Sequence, residues 1–123
     1  FSGMRTKDDD TTTARGREAE AQAARHLEGH GLRVVARNFR VRGGEIDLIC
    51  RDGRVLVFVE VRQRSRSDYG GAGASITTSK QRRIVLAARH YLAGQPECDC
   101  RFDCVLIDGE RLEWLKDAFT ADA

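Results

Sequence analysis

Two acidic residues interrupt stretches that otherwise read as buried strands. Asp47 lies within EIDLIC (Glu45 to Cys50), and Glu60 follows the apolar run Val55 to Val59. Carboxylates so placed are the hard oxygen donors that Mg2+ or Mn2+ takes, in ones or twos, together with waters and a substrate phosphate. Two ionised carboxylates side by side repel each other, and a divalent cation would explain the pairing. Without one, a carboxyl must hold a proton or be bound by arginine. Glu20 is a third acid of interest, although helix periodicity alone reads it as a surface glutamate. Arg62 and Arg64 follow Glu60 at once, so an ion pair where the strand meets water is an equally good reading of that end.

The elements that position these residues follow from the patterning. Alternation along Val55 to Arg64 sends Glu60 and Arg62 to one face with Leu56 and Phe58, and Val55, Val57, Val59 and Val61 to the other. An apolar run on both faces is a strand covered by helices on both sides. In the preceding strand Ile46, Leu48 and Cys50 share one face and Glu45, Asp47 and Ile49 the other. Asp52-Gly53 is a hairpin signal. It makes these two strands antiparallel neighbours and brings Asp47 beside Glu60 to within one bulge.

Ala14 to His30 reads as a helix with a narrow stripe of Ala19, Ala23, Ala24 and Leu27, suited to close approach to a sheet. A strand over Leu32 to Arg40 and a turn at Gly43-Gly44 follow. Ser65 to Thr78 is a glycine- and serine-rich connection, the kind of long loop that often serves a site. Thr78 or Ser79 then caps a helix over Lys80 to Ala93, with Ile84, Ala87, Ala88, Tyr91 and Leu92 inward. Arg101 to Asp108 is a strand, turned at Asp108-Gly109 into a short element at Leu112 to Leu115. The order α-β-β-β-α-β predicts an α/β fold with a mixed β-sheet flanked by helices. Residues 1–13 read as a disordered lead-in, with Phe1 to Gly3 a tag remnant before Met4. Residues 14–119 form a single domain and 120–123 a tail.

Bulk properties agree with one globular unit: 123 residues, 41% apolar and 33% charged. No run approaches a membrane span and there is no secretory h-region, so the expectation is a cytoplasmic protein with no membrane partner. The net charge of +2 is small, but Arg62 to Arg89 carries seven Lys or Arg residues against one acid, Asp68. Such asymmetry suits a phosphate-binding surface, as well as a solvated helix face. Lys80, Arg82 and Arg83 open the second helix against its dipole, which a phosphate would relieve. Cys98, Cys100 and Cys104 lack a second ligand pair at zinc spacing. Cys50 and Cys104 read as small core residues.

Seven segments, GREAEAQAA (Gly16 to Ala24), NFR (Asn38 to Arg40), GGEIDLI (Gly43 to Ile49), VFVEVRQRS (Val57 to Ser65), YGG (Tyr69 to Gly71), SKQRR (Ser79 to Arg83) and RFD (Arg101 to Asp103), together resemble the YraN family of bacterial proteins, regarded as endonucleases. That family is similar in turn to archaeal Holliday junction resolvases of the PD-(D/E)xK nuclease superfamily. The resemblance implies a restriction-endonuclease-like sheet and a nuclease hydrolysing DNA, including branched DNA, with Mg2+ or Mn2+. It places the catalytic set on Glu20, Asp47, Glu60 and Arg62, and the metal ligands on Asp47, Glu60 and the Val61 carbonyl. Arg64, Arg66, Lys80, Arg82 and Arg83 would hold the nucleic-acid backbone. A homodimer would suit a two-fold junction. Arg62 departs from the pattern, which has lysine there. Its guanidinium stays charged and cannot act as a base. Lys80 is the lysine nearest in sequence that could replace it in space. A non-catalytic nucleic-acid-binding module with a degenerate nuclease site is the alternative.

Overall fold

The structure, a computed structural model, describes residues 7–63 and 76–121, with side chains from residue 16 onward. Arg64, Arg66, residues 1–6 and most of the glycine- and serine-rich connection lie outside the described residues. Seven elements follow one another: α1 (Lys7–Gly29), β1 (Arg33–Val41), β2 (Gly44–Asp52), β3 (Val55–Gln63), α2 (Thr78–Ala93), β4 (Cys100–Asp108) and β5 (Arg111–Phe119). The five strands form one sheet in the order β1-β2-β3-β4-β5. Neighbours are antiparallel except β3 and β4, which are parallel because α2 carries the chain across the sheet between them. The expected α/β sheet of mixed direction, flanked by helices, is the fold found.

Each helix covers one face. Ala19, Ala23, Ala24 and Leu27 of α1 pack on Leu48, Cys50, Val57, Val59, Val105 and Ile107. On the opposite face Ile84, Ala87 and Ala88 of α2 meet Ile46, Ile49, Leu56, Phe58, Phe102 and Leu106. The small stripe of α1 is buried as its spacing predicts, and Cys50 and Cys104 are core residues.

Three boundaries differ from expectation. Helix α1 starts at Lys7, so the lead-in expected to be disordered through residue 13 is helical from residue 7. The sequence there is acidic, and negative charge near a helix N-terminus is favoured by the macrodipole. The N-cap of α2 is Thr77 rather than Thr78 or Ser79, with its hydroxyl accepting from the Lys80 N–H at 3.1 Å. Finally, the short trailing element is a full nine-residue strand, β5. Charged Glu113, Lys116 and Asp117 hide its alternation in the sequence. Tertiary contacts fix it instead: Phe119 stacks on Phe102 at 4.9 Å, and the Trp114 indole and the Asp117 N–H both donate to buried Asp103 at 2.9 Å. Asp117 adopts a φ of 55° to do so.

The face assignment along β2 also needs correction. Leu48 and Cys50 face α1, whereas Ile46 faces α2 together with Ile49. Strict alternation therefore breaks between Ile46 and Leu48. The same break occurs on β1, where Ala36 and Phe39 both reach the α2 side. Phe39 pairs with Ile46 and Arg37 with Leu48, so Asn38 and Asp47 occupy the matching positions in between. Asn38 has a φ of 50°, in the left-handed region that asparagine tolerates better than most residues. Both strands turn over at this point, and the turnover frees the Asp47 side chain from either core.

Candidate metal and phosphate site

Asp47 uses that freedom to reach sideways along the sheet. The β2–β3 ladder ends at Leu48 opposite Val59, leaving Asp47 and Glu60 as the next residues along. Beyond it the Asp47 carboxylate Oδ2 accepts the Val61 N–H at 2.9 Å, replacing the ladder carbonyl. A strand residue directs its N–H and C=O to the same edge, so the Val61 carbonyl opens toward Asp47 as well. The hairpin expected at Asp52-Gly53 is present, with Asp52 paired to Val55. Asp47 and Glu60 are brought together as predicted.

Glu60 is only 6% exposed and lies on the α2 face. Its Oε2 is 3.3 Å from the Lys80 ammonium, and its Oε1 is buried with no hydrogen-bond donor among the described residues. Burial, then the Asp47 charge, push the Glu60 carboxyl up to about 8, against the opposing pull of Lys80. Asp47 is also raised by burial, but the Val61 N–H and the Glu60 carboxyl hold it back. The two carboxyls therefore titrate as a pair and favour sharing a proton. Among the described residues Lys80 pairs with Glu60, where the sequence suggests arginine.

This donor set fits a hard divalent cation. Asp47 and Glu60 are adjacent, Glu60 Oε1 is an unsatisfied acceptor, and the Val61 carbonyl opens on the same edge. Among the described residues no three His, Cys, Asp or Glu side chains gather as a ready-made cage. Magnesium does not need one, since it commonly keeps several waters on one or two carboxylates. Glu20 accordingly stands one step out. It lines a cleft of about 430 Å³ with Gly16, Arg17, Asn38 and Arg40. Burial and the Asp47 charge raise its carboxyl, while the Asn38 amide and Arg40 lower it.

The basic residues divide. Lys80 points into the site, Arg83 pairs with Glu45 at 3.5 Å, and Arg82 is exposed on α2. Arg62 is half-buried beside Cys104, whose thiol it pulls down while burial and the Glu60 charge push it up to about 12. Sequence reasoning gave no role in the site to Arg17, Asn38 or Arg40, and read Gly44 only as part of a turn. For Asn38 a signal existed: an asparagine inside a strand-like run marks a left-handed break. Gly44 packs against α2 so closely that a Cβ would lie 2.4 Å from the Arg83 carbonyl oxygen. That approach sets α2 over the β1–β2 hairpin and so sets the reach of Lys80.

Residues 19–107 match the model of the uncharacterised protein family UPF0102. The chain belongs to the UPF0102 (YraN) family. A UPF0102 protein of Dechloromonas aromatica is 80% identical over 119 residues, covering 97% of this chain and 99% of the relative. One from Cupriavidus taiwanensis is 60% identical over 113 residues, covering 89% and 86%. One from Ralstonia pickettii is 52% identical over 118 residues, covering 91% and 94%. The matched region includes Glu20, Asp47, Glu60 and Lys80 and every buried residue of the two hydrophobic cores except Phe119.

Proposed function

We propose that this UPF0102 protein is a metal-dependent endonuclease that hydrolyses phosphodiester bonds in DNA, branched DNA included. The observation that carries the reading is the meeting of Asp47 and Glu60, with Asp47 held by the Val61 N–H and a buried oxygen of Glu60 that lacks any donor among the described residues. Two carboxyls so placed repel each other when both ionise, and a divalent cation would relieve that repulsion. Asp47, Glu60 and the Val61 carbonyl would hold Mg2+ or Mn2+, which when bound activates water and offsets charge on the phosphoryl oxygens.

The chain's own residues do the remaining work. The Val61 N–H orients the Asp47 carboxylate, and Lys80 steadies Glu60. Glu20, whose carboxyl responds to the Asp47 charge and the Asn38 amide, would accept from a water at the scissile phosphate. Arg17 and Arg40 line the same cleft, and Arg82 lies along α2. These cations would take flanking phosphates without reading bases. Action on DNA implies a cytoplasmic protein, and a two-fold junction implies a dimer. No helix among the described residues is long and apolar enough to cross a membrane.

Cleavage of a labelled four-way junction, a flap and a matching linear duplex in Mg2+ or Mn2+, compared with Asp47→Asn prepared identically, tests the reading. Cleavage that disappears in the variant supports it. Arg62 at the lysine position favours a second reading, a nucleic-acid-binding module without turnover. That reading expects strongly salt-dependent binding and no cleavage with any divalent ion.

A further inference from the structure

On the nuclease reading, the site needs an amine that Arg62 does not supply, and the geometry points to its source. We propose that Lys80, arriving from α2, is the cation that contacts the reacting phosphate and its attacking water, the place that motif position 62 would otherwise fill. Its Nζ is 3.3 Å from Glu60 Oε2, at the edge of the carboxyl pair. An ammonium carries three donors. One is occupied by Glu60, leaving donors to share between a phosphoryl oxygen and a water. The side chain is 36% exposed, against 6% for Glu60, so Lys80 bridges the buried carboxyl and the open surface where a phosphodiester must lie.

Helix stability does not explain the residue. Lys80 lies in the first turn of α2, where positive charge opposes the macrodipole, and no acid accompanies it there. Only three of the chain's 21 Lys and Arg residues are lysines, and one of the other two, Lys116, lies over the Trp114 ring. A chain that uses arginine almost everywhere places a compact, strongly hydrated point charge here, rather than a planar fork. The backbone that carries it is anchored. Thr77 Oγ1 accepts the Lys80 N–H at 3.1 Å, the Thr77 carbonyl accepts the Gln81 N–H at 2.9 Å, and the Gln81 side-chain amide donates to the Ile76 carbonyl at 2.8 Å. Ile76 is itself buried in the core between α2 and the sheet. Such anchoring is what positions a group for a transition state.

In the step so assisted, water oxygen attacks phosphorus and the bond from phosphorus to the leaving oxygen breaks. The water's proton passes to solvent, and the leaving oxygen takes a proton from solvent. Lys80 stays an ammonium throughout, holding the nucleophile and the developing phosphoryl charge.

Two readouts test this, in Mn2+: single-turnover cleavage of the labelled junction, and calorimetric binding of thymidine 3′,5′-bisphosphate. Lys80→Met should slow cleavage by roughly 10²- to 10³-fold at saturating DNA, with junction affinity changed by less than about threefold, because one contact among many phosphate contacts is lost. Bisphosphate binding should weaken at least tenfold. Arg62→Met should cost at least tenfold less in rate than Lys80→Met, and Lys80→Met with Arg62→Lys should regain part of the rate by returning an amine from β3. A Lys80→Met effect confined to KM, or a larger rate loss in Arg62→Met, would overturn the assignment. If the wild type binds the bisphosphate but cuts nothing, the nuclease reading fails, and the bisphosphate affinities of the two variants still decide which cation meets the phosphate. Equal affinities would reject Lys80.

Discussion

Replacing Glu60 with Gln should make the metal-free protein more stable than wild type in alkaline solution, and the structure gives the size of the effect. The Glu60 carboxyl is raised from 4.5 to about 8, by burial first and the Asp47 charge second. In the unfolded chain it titrates at its ordinary value. The folded protein therefore holds a proton that the unfolded chain has released, and stability falls as pH rises through that interval. The contribution is complete below about pH 4.5 and gone above about pH 8. Each unit of separation is worth about 1.4 kcal/mol, so the whole span is on the order of 3–5 kcal/mol once Asp47 and Lys80 readjust. Glutamine keeps the shape, cannot ionise, and can donate to Asp47 as the protonated acid does. For a domain of this size about 1 kcal/mol moves the melting temperature by roughly 4 °C. Thermal melts followed by circular dichroism in chelator, from pH 5 to pH 9, should show the wild type losing on the order of 10 °C relative to Glu60→Gln. Adding Mn2+ at pH 8.5 should then stabilise the wild type and leave the variant nearly unmoved. Parallel melting curves across the pH range, or a wild type that gains on the variant as pH rises, would refute the shared-proton account and show that Lys80 alone governs Glu60.

Other consequences are equally concrete. Gly44→Ala should lower stability by roughly 1–3 kcal/mol in urea titrations, because the new Cβ would lie 2.4 Å from the Arg83 carbonyl oxygen. It should also slow any cleavage, since α2 carries Lys80. Asp103→Asn weakens the contacts to Arg101, the Trp114 indole and the Asp117 N–H, while Arg101 keeps its pair with Asp52 at 3.0 Å. A loss of roughly 1–3 kcal/mol is expected, read by the emission of Trp114, the chain's one tryptophan. Arg17→Ala with Arg40→Ala should weaken DNA binding and reduce its salt slope by up to about two, measured by anisotropy titrations at several salt concentrations. A thiol reagent should react with exposed Cys100 in the folded protein, the faster as pH rises because burial and neighbouring Cys98 and Asp99 raise its thiol. Cys50 and Cys104, buried and pushed up to about 12, should react only on unfolding.

Local patterning carries far in this chain because most of its elements are regular. The Ala19, Ala23, Leu27 stripe, the apolar Val55 to Val59 run and the Asp52-Gly53 turn each state one period or one turn type, and each is found in place. From that turn alone, antiparallel pairing follows, and with it the meeting of Asp47 and Glu60. Where the reading failed, long-range contacts had overridden period. Ile46 changed face because Asn38 and Asp47 turn over together on paired strands, and β5 is held through Asp103 and Phe102 despite its charges.

The sequence by itself therefore determined the fold class, the two cores and the carboxyl pair, all consequences of alternation and neighbouring strands. Only the tertiary structure decided which cation serves that pair. Lys80 and Glu60 are twenty residues apart and on different elements, with no periodic relation between them. Their 3.3 Å contact depends on how α2 crosses from β3 to β4, and on Gly44 letting that helix settle against the hairpin. A crossover helix can be slid or rotated without altering any local pattern. Its position is fixed by close packing, which acts between surfaces that the sequence brings together only after folding.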